Sequence, residues 1–395
     1  MNKTFKIKCK TAALFLVIFP FWVHAQKVPV AKKQKAENII QIDLYDAWQN
    51  AKVYPLSTIA ESVEYIPLET TEDCLLGEYL PYIFIDENEI IVFDYAYAYR
   101  FTPEGKFLNK IGKNGRGPGE YNRPMGITVD PNQQAVYFED RGKIVKYAYN
   151  GDFLKEYTVA VKTSKILQYS EDVFLVNRMM YSYADPGERF SMYFLSEQKE
   201  KLISRIECPK KDKIPFAIDH PVMYNYNGNT FVKDYWDNTV FMVENPFSLA
   251  PYALLNTGRL KHRDKDDQQP FGGENRGDEL VLSINYMSES DRYIFMLSNK
   301  GMFFFDKILD ENFCCEFSQT GEKWYNFENN LTGGPTLIPT SFPMNAVENN
   351  TFVTFNHAYE FFEDGIDTSN PKIRKLLQNL EPDDNPVLVL VKLKE

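Results

Sequence analysis

The stretch IGKNGRGPGEYNRPMGITVD, residues 111–130, sets Gly115, Gly117 and Gly119 at alternate positions beside Arg116, Tyr121 and Arg123. Glycines at such spacing can turn a backbone so that its amides cradle a phosphate. A phosphate loop, however, needs Lys and then Ser or Thr after its last glycine, followed by a helix whose N-terminus faces the anion. Here Gly119 is followed by Glu120 and Tyr121, Pro118 removes one amide donor, and strand-forming residues come next. The stretch therefore predicts a corner between two groups of strands, with Pro118 and Pro124 stiffening the path.

Other chemistry-bearing residues are scattered. Beyond residue 25 the histidines are His220, His262 and His357, in unrelated contexts, and neither a G-x-S-x-G elbow nor an H-E-x-x-H pair occurs. Cys74, Cys208, Cys314 and Cys315 allow three pairings, and none has C-x-x-C spacing, so buried thiols are expected rather than a structural metal. Neither a metal nor a cofactor is expected. Loop residues able to contact a ligand are Arg100, Arg116, Tyr121, Arg123, Arg178, Tyr181, Tyr235, Trp236 and His357. His357 beside Asn356, with Glu139 or Asp234, could supply a catalytic ring. Asp94 and Asp140 are read as ties between a turn and backbone amides in preference to metal ligands.

These residues need elements to position them. Tyr (25) and Phe (30) fall in short runs with β-branched partners, which favours half-buried strands over helices. Only 370–380 and 43–50 read as helical. Residues 83–112 and 127–157 repeat one grammar, with Asp94 and Asp140, and likewise Gly105 and Gly151, 46 positions apart. Each copy reads as a four-stranded antiparallel unit of propeller-blade length. Fainter copies follow at 166–181, 224–245, 284–306 and 344–362, so that Asp94, Asp140, Asn177, Asp234, Asn299 and His357 end six second strands. The expected fold is all-β: a six-bladed β-propeller closed by pairing VEYIPLET (63–70) with PVLVLVKL (386–393), since an unpaired edge strand is a liability.

Residues 1–25 read as an export signal, with a basic start, a short apolar middle and a small-residue exit before Gln26. Residues 26–38 are expected to be a disordered leader, and 39–395 one propeller domain with no transmembrane segment in the mature chain. A net charge of −11 argues against a nucleic-acid partner, which needs a basic face.

At residues 112–140, GKNGRGPGEYNRPMGITVDPNQQAVYFED, the chain resembles the G-x-G-P-G-E-[YF] junction of secreted six-bladed β-propeller proteins of Bacteroidetes, which are similar to NHL-repeat propellers. YIPLET and GKFLNKIG match as well. The resemblance implies the fold and a secreted or periplasmic location without supplying an activity. The residues favour a noncatalytic binding module that presents loops at the channel mouth to an extracytoplasmic peptide, protein or glycan; the alternative is a metal-assisted hydrolase or lyase at the channel.

Overall fold

The computed structural model describes residues 28–35, 39–178, 190–208, 221–262, 280–316, 318–320, 323–325, 327–337, 347–348 and 350–395. Tyr181, His220 and the expected signal at 1–25 lie outside them. Six four-stranded antiparallel blades form a ring, a six-bladed β-propeller. The innermost strands of the first five blades are Tyr82–Ile85, Gly126–Asp130, Thr163–Ser170, Val222–Tyr226 and Ile284–Glu289. The sixth blade runs outward from Val347–Glu348 through Thr351–Asn356 and Val387–Leu393 to Ala60–Pro67. Its last pair joins chain ends in antiparallel register, with Val391 opposite Val63 and Val389 opposite Tyr65.

A strand buries side chains on both faces when sheets pack on either side of it, and such strands read as nearly continuous apolar runs. Ile90–Phe93 (IIVF) and Gly301–Asp306 (GMFFFD) are of this kind, buried throughout. The result is one apolar cluster at each of the six blade boundaries. Phe93, Tyr121 and Phe138 fill the first, between blades one and two. Adjacent Cys314 and Cys315 point to opposite faces of one strand and enter the clusters on either side of blade five. All four described cysteines are buried and outside any disulfide.

Two chain segments cover an edge that would otherwise be open. Lys32–Lys33 and Ile40–Asp43 both pair in parallel with Ser248–Asn256, the outer strand of blade four. Residues within the expected leader are thus laid against the propeller, with Ala31 donating its amide to the Arg205 carbonyl at 2.8 Å. The helix Pro371–Leu377 falls inside the stretch read as helical. Pro371 occupies its first turn and the Asn370 side chain accepts from the Lys372 amide at 2.9 Å. Ile373 and Leu376 bury it against Phe361 and Val387.

Candidate functional site

Alternating strands give the ring two different ends. The hairpins joining first to second strands lie at one end, the hairpin end; the second-to-third turns and the connections between blades lie at the other, the junction end.

At the junction end, a polar side chain closing each second strand holds the connection that enters its own blade. Asp94 accepts from the Gly77 amide (3.3 Å), Asp140 from the Asn122 amide (2.8 Å) and Asn177 from the Lys165 amide (2.6 Å). Asn299 accepts from the Ser283 amide (2.8 Å), and Asn356 donates to the Thr336 carbonyl (3.1 Å). In blade four, Cys208 Sγ lies 3.8 Å from Asp234 Oδ1. Asp94 and Asp140 thus work as backbone ties. In blade six the tie is Asn356, one residue before the expected His357.

The glycine-rich corner is filled by the protein's own acids. Glu120 accepts from the Gly117 amide (2.8 Å) and Glu156 from the Gly119 amide (2.6 Å). A phosphate there would face two carboxylates. Tyr121, 1% exposed, stacks on Phe138 with ring centroids 4.5 Å apart, and its hydroxyl donates to the Ala96 carbonyl at 2.9 Å. Gly112 makes room for it, having φ +102° and a Cβ position only 2.1 Å from the Tyr121 hydroxyl.

The remaining nominated residues are dispersed. Arg116 and Arg123 are exposed on the corner. Arg100 forms an ion pair with Glu89, Nε to Oε2 at 2.8 Å, and covers the Tyr149 ring. Arg178 ends the second strand of blade three. Buried Tyr235 meets Trp236 edge to face and lies 5.5 Å from the His262 ring. His357 stacks on Tyr359 at 5.3 Å beside a short 3-10 turn. Tyr235 and Trp236 are brought together; the others are spread over four blades.

A cavity of about 870 Å³ opens instead at the hairpin end, walled by all six blades. Phe84 comes from blade one, Thr128–Gln133 from two, Leu167–Glu171 from three, Asn225–Gly228 from four, Asp291 from five and Asn350 from six. No nominated residue lines it. Its wall carries six carboxamides, three carboxylates, the rings of Phe84, Tyr169 and Tyr226, and no Lys, Arg or His among the described residues. Sequence reading passed over these residues because Asn, Gln, Gly and Pro are ordinary turn formers. The Asn227–Gly228 pair, both at positive φ, is a hairpin turn of the expected chemistry.

Hydrogen bonds tie this mouth together from blade to blade. Buried Asp130 accepts from Gln133 Nε2 (2.8 Å) and from Gln168 Nε2 (2.6 Å) of the next blade. Asn225 donates to the Gln168 carbonyl (2.9 Å). Asp291 accepts from the Tyr226 hydroxyl (2.8 Å) and from Asn350 Nδ2 (3.0 Å), spanning blades four to six. These bonds, Tyr226 first, hold the Asp291 carboxyl below its ordinary range. Asn132, Glu171 and Asn227 remain exposed at the rim.

A site could use metal here only through clustered donors, and among the described residues no group of three or more His, Cys, Asp or Glu is gathered to hold one. No helix among those residues is long and apolar enough to cross a membrane.

The model of the family described as Domain of unknown function (DUF4934) matches residues 39–392. No curated protein matches the chain. Among solved structures, a "Putative exported protein" from Bacteroides fragilis NCTC 9343 is 18% identical with TM-score 0.65, covering 91% of this chain and 100% of its own. A member of the duf4221 family from Bacteroides vulgatus ATCC 8482 is 11% identical with TM-score 0.50, covering 85% of this chain and 97% of its own. At these identities the likeness is one of fold.

Proposed function

The chain belongs to the DUF4934 family, and from that premise we propose that it is an exported, noncatalytic binding module whose ligand, a neutral glycan, sits in the hairpin-end mouth of the channel. The observation that carries the reading is the composition of that wall, six carboxamides and three carboxylates beside aromatic rings, with no basic group among the described residues. Carboxamides donate and accept together, as sugar hydroxyls do, while Tyr and Phe rings offer flat faces to the apolar side of a pyranose. A wall without cations gives an anionic ligand nothing to pair with. Export is supported by the basic, apolar and small-residue segments of 1–25. Arg116, Arg123, Arg178, Trp236 and His357, the described nominated residues of the junction end that keep some exposure, belong to this proposal as a second, outer surface for a peptide or protein.

The reading is tested by screening immobilised neutral oligosaccharides and short peptides against the mature protein and against an Asn132→Ala/Glu171→Gln variant. Both substitutions fall on exposed turn residues, so the thermal midpoint should stay within a degree or two while glycan affinity drops roughly tenfold, the value of one or two polar contacts. Peptide capture with no glycan capture, or glycan binding that the variant leaves intact, overturns it.

A further inference from the structure

At the opposite end of the same channel is one cation that the described residues leave unmatched. Lys165 lies near the start of the innermost strand of blade three, Thr163–Ser170. Its Nζ stands 4.2 Å above the ring of Tyr286, which belongs to the innermost strand of blade five. Blade four lies between those two blades, so the side chain spans the channel itself. Tyr95 of blade one approaches the same phenol closely enough to act on it electrostatically. Side chains of blades three and five therefore meet across the channel.

Among the described residues, the groups facing Lys165 supply no counter-charge. Among the described residues no carboxylate pairs with it, and burial alone pushes its amine down to about 7. On the preceding blade, Glu139 turns its Oε1 to the Gly142 amide (2.6 Å) and the Thr163 hydroxyl (2.5 Å). Asn177, next on blade three, is committed to the Lys165 amide and the Ser164 hydroxyl. The only partner that the described residues give the ammonium is a π-face, worth about 0.5–2 kcal/mol, which is less than the usual cost of enclosing a charge. A half-buried amine against an aromatic ring, with no anion beside it among the described residues, is an incomplete ion pair when protonated.

We propose that this end of the channel is a carboxylate subsite, in which Lys165 provides the charge and Tyr286 the wall. One compact cation in a narrow ring suits a singly charged planar anion better than a phosphate, for which several donors are usual. The subsite lies at the other end of the channel from the amide-lined mouth and does not depend on what that mouth binds.

The test follows acetate binding through the ring resonances of carbon-13-labelled tyrosines, with Tyr286→Phe to assign the signal. Expected is a saturable shift of Tyr286 at about pH 6, weakening at least roughly tenfold by about pH 8.5 as the amine loses its proton. Lys165→Met should abolish the saturable shift. Lys165→Arg, which keeps its charge, should retain it and carry it to the higher pH. Repeating the titration with D-glucuronate and with N-acetylalanine distinguishes an acidic sugar from a peptide terminus by which saturates first; equal responses assign the bare carboxylate. Absence of saturation with all three acids, or an unchanged response in Lys165→Met, overturns the proposal.

Discussion

Tyr121 shows how a single residue can carry correct chemistry into an unexpected place. A tyrosine in a loop of glycines, prolines and arginines reads as a contact residue, yet its ring is fully enclosed between blades one and two. Tyr121→Phe keeps the stacking on Phe138 and loses only the bond to the Ala96 carbonyl, so we expect a cost of about 1 kcal/mol in denaturant unfolding. Gly112→Ala should cost more, because the added methyl meets the same phenol and the backbone is left-handed there. Glu139 yields a pH prediction. Burial pushes its carboxyl up to about 7, although the Thr163 hydroxyl and the Gly142 amide partly oppose this, and its Oε2 has no hydrogen-bond partner. The unfolded chain releases this proton near pH 4.5 and the folded protein only near 7, so stability falls as pH rises through that window, by roughly 3 kcal/mol. Glu139→Gln should flatten that slope in urea titrations run across the window. A slope unchanged by the substitution assigns the pH dependence to other groups.

At the scale of the strand and its turn, the recurring polar tie is the feature that spacing made legible. Asp94 and Asp140 stand 46 residues apart because each closes the second strand of its blade and holds the connection entering that blade. At Asn177 and Asn299 the position is legible as a strand end, but the same role there and at Asn356 is hidden by the change from carboxylate to carboxamide and by insertions of different length. In blade six the strand end read from sequence, His357, falls one residue past the tie, Asn356. Residue type was readable where the repeat was regular and lost where loops broke its period. Asp94 accepts from the Ala96 and Tyr97 amides, both at 2.9 Å, besides Gly77. Asp94→Ala orphans these donors and should cost about 1–3 kcal/mol, with faster amide exchange at Gly77, Ala96 and Tyr97. Asp94→Asn, which keeps an acceptor oxygen, should recover most of the loss. If Ala and Asn variants are equally destabilised, charge rather than hydrogen bonding makes the tie.

The whole molecule explains why the ring was visible and its mouth was not. Six units and a pairing of chain ends follow from repetition and from the need to leave no edge, both of which are local or additive properties of the chain. The cavity requires Gln168, Asn225, Asp291 and Asn350 to meet across a circle, and their sequence separations carry no sign of it. Lys165 is hidden in the same way inside an unremarkable strand, TSKILQYS. Closure itself rests on the strand pair Ala60–Pro67 with Val387–Leu393, where Ser62 stands opposite Lys392. Both positions are at least partly exposed. The four described native cysteines are buried, so a Ser62→Cys/Lys392→Cys pair should oxidise without exchange with them. A bridge joining residues so far apart in sequence restricts the unfolded chain strongly, and typical gains are about 2–4 kcal/mol. If the seam between the chain ends is where the toroid first opens, the oxidised variant should melt several degrees above the wild type and return to it on reduction. Equal midpoints for the oxidised and reduced forms would place the first opening at another blade boundary, with the terminal pair still closed.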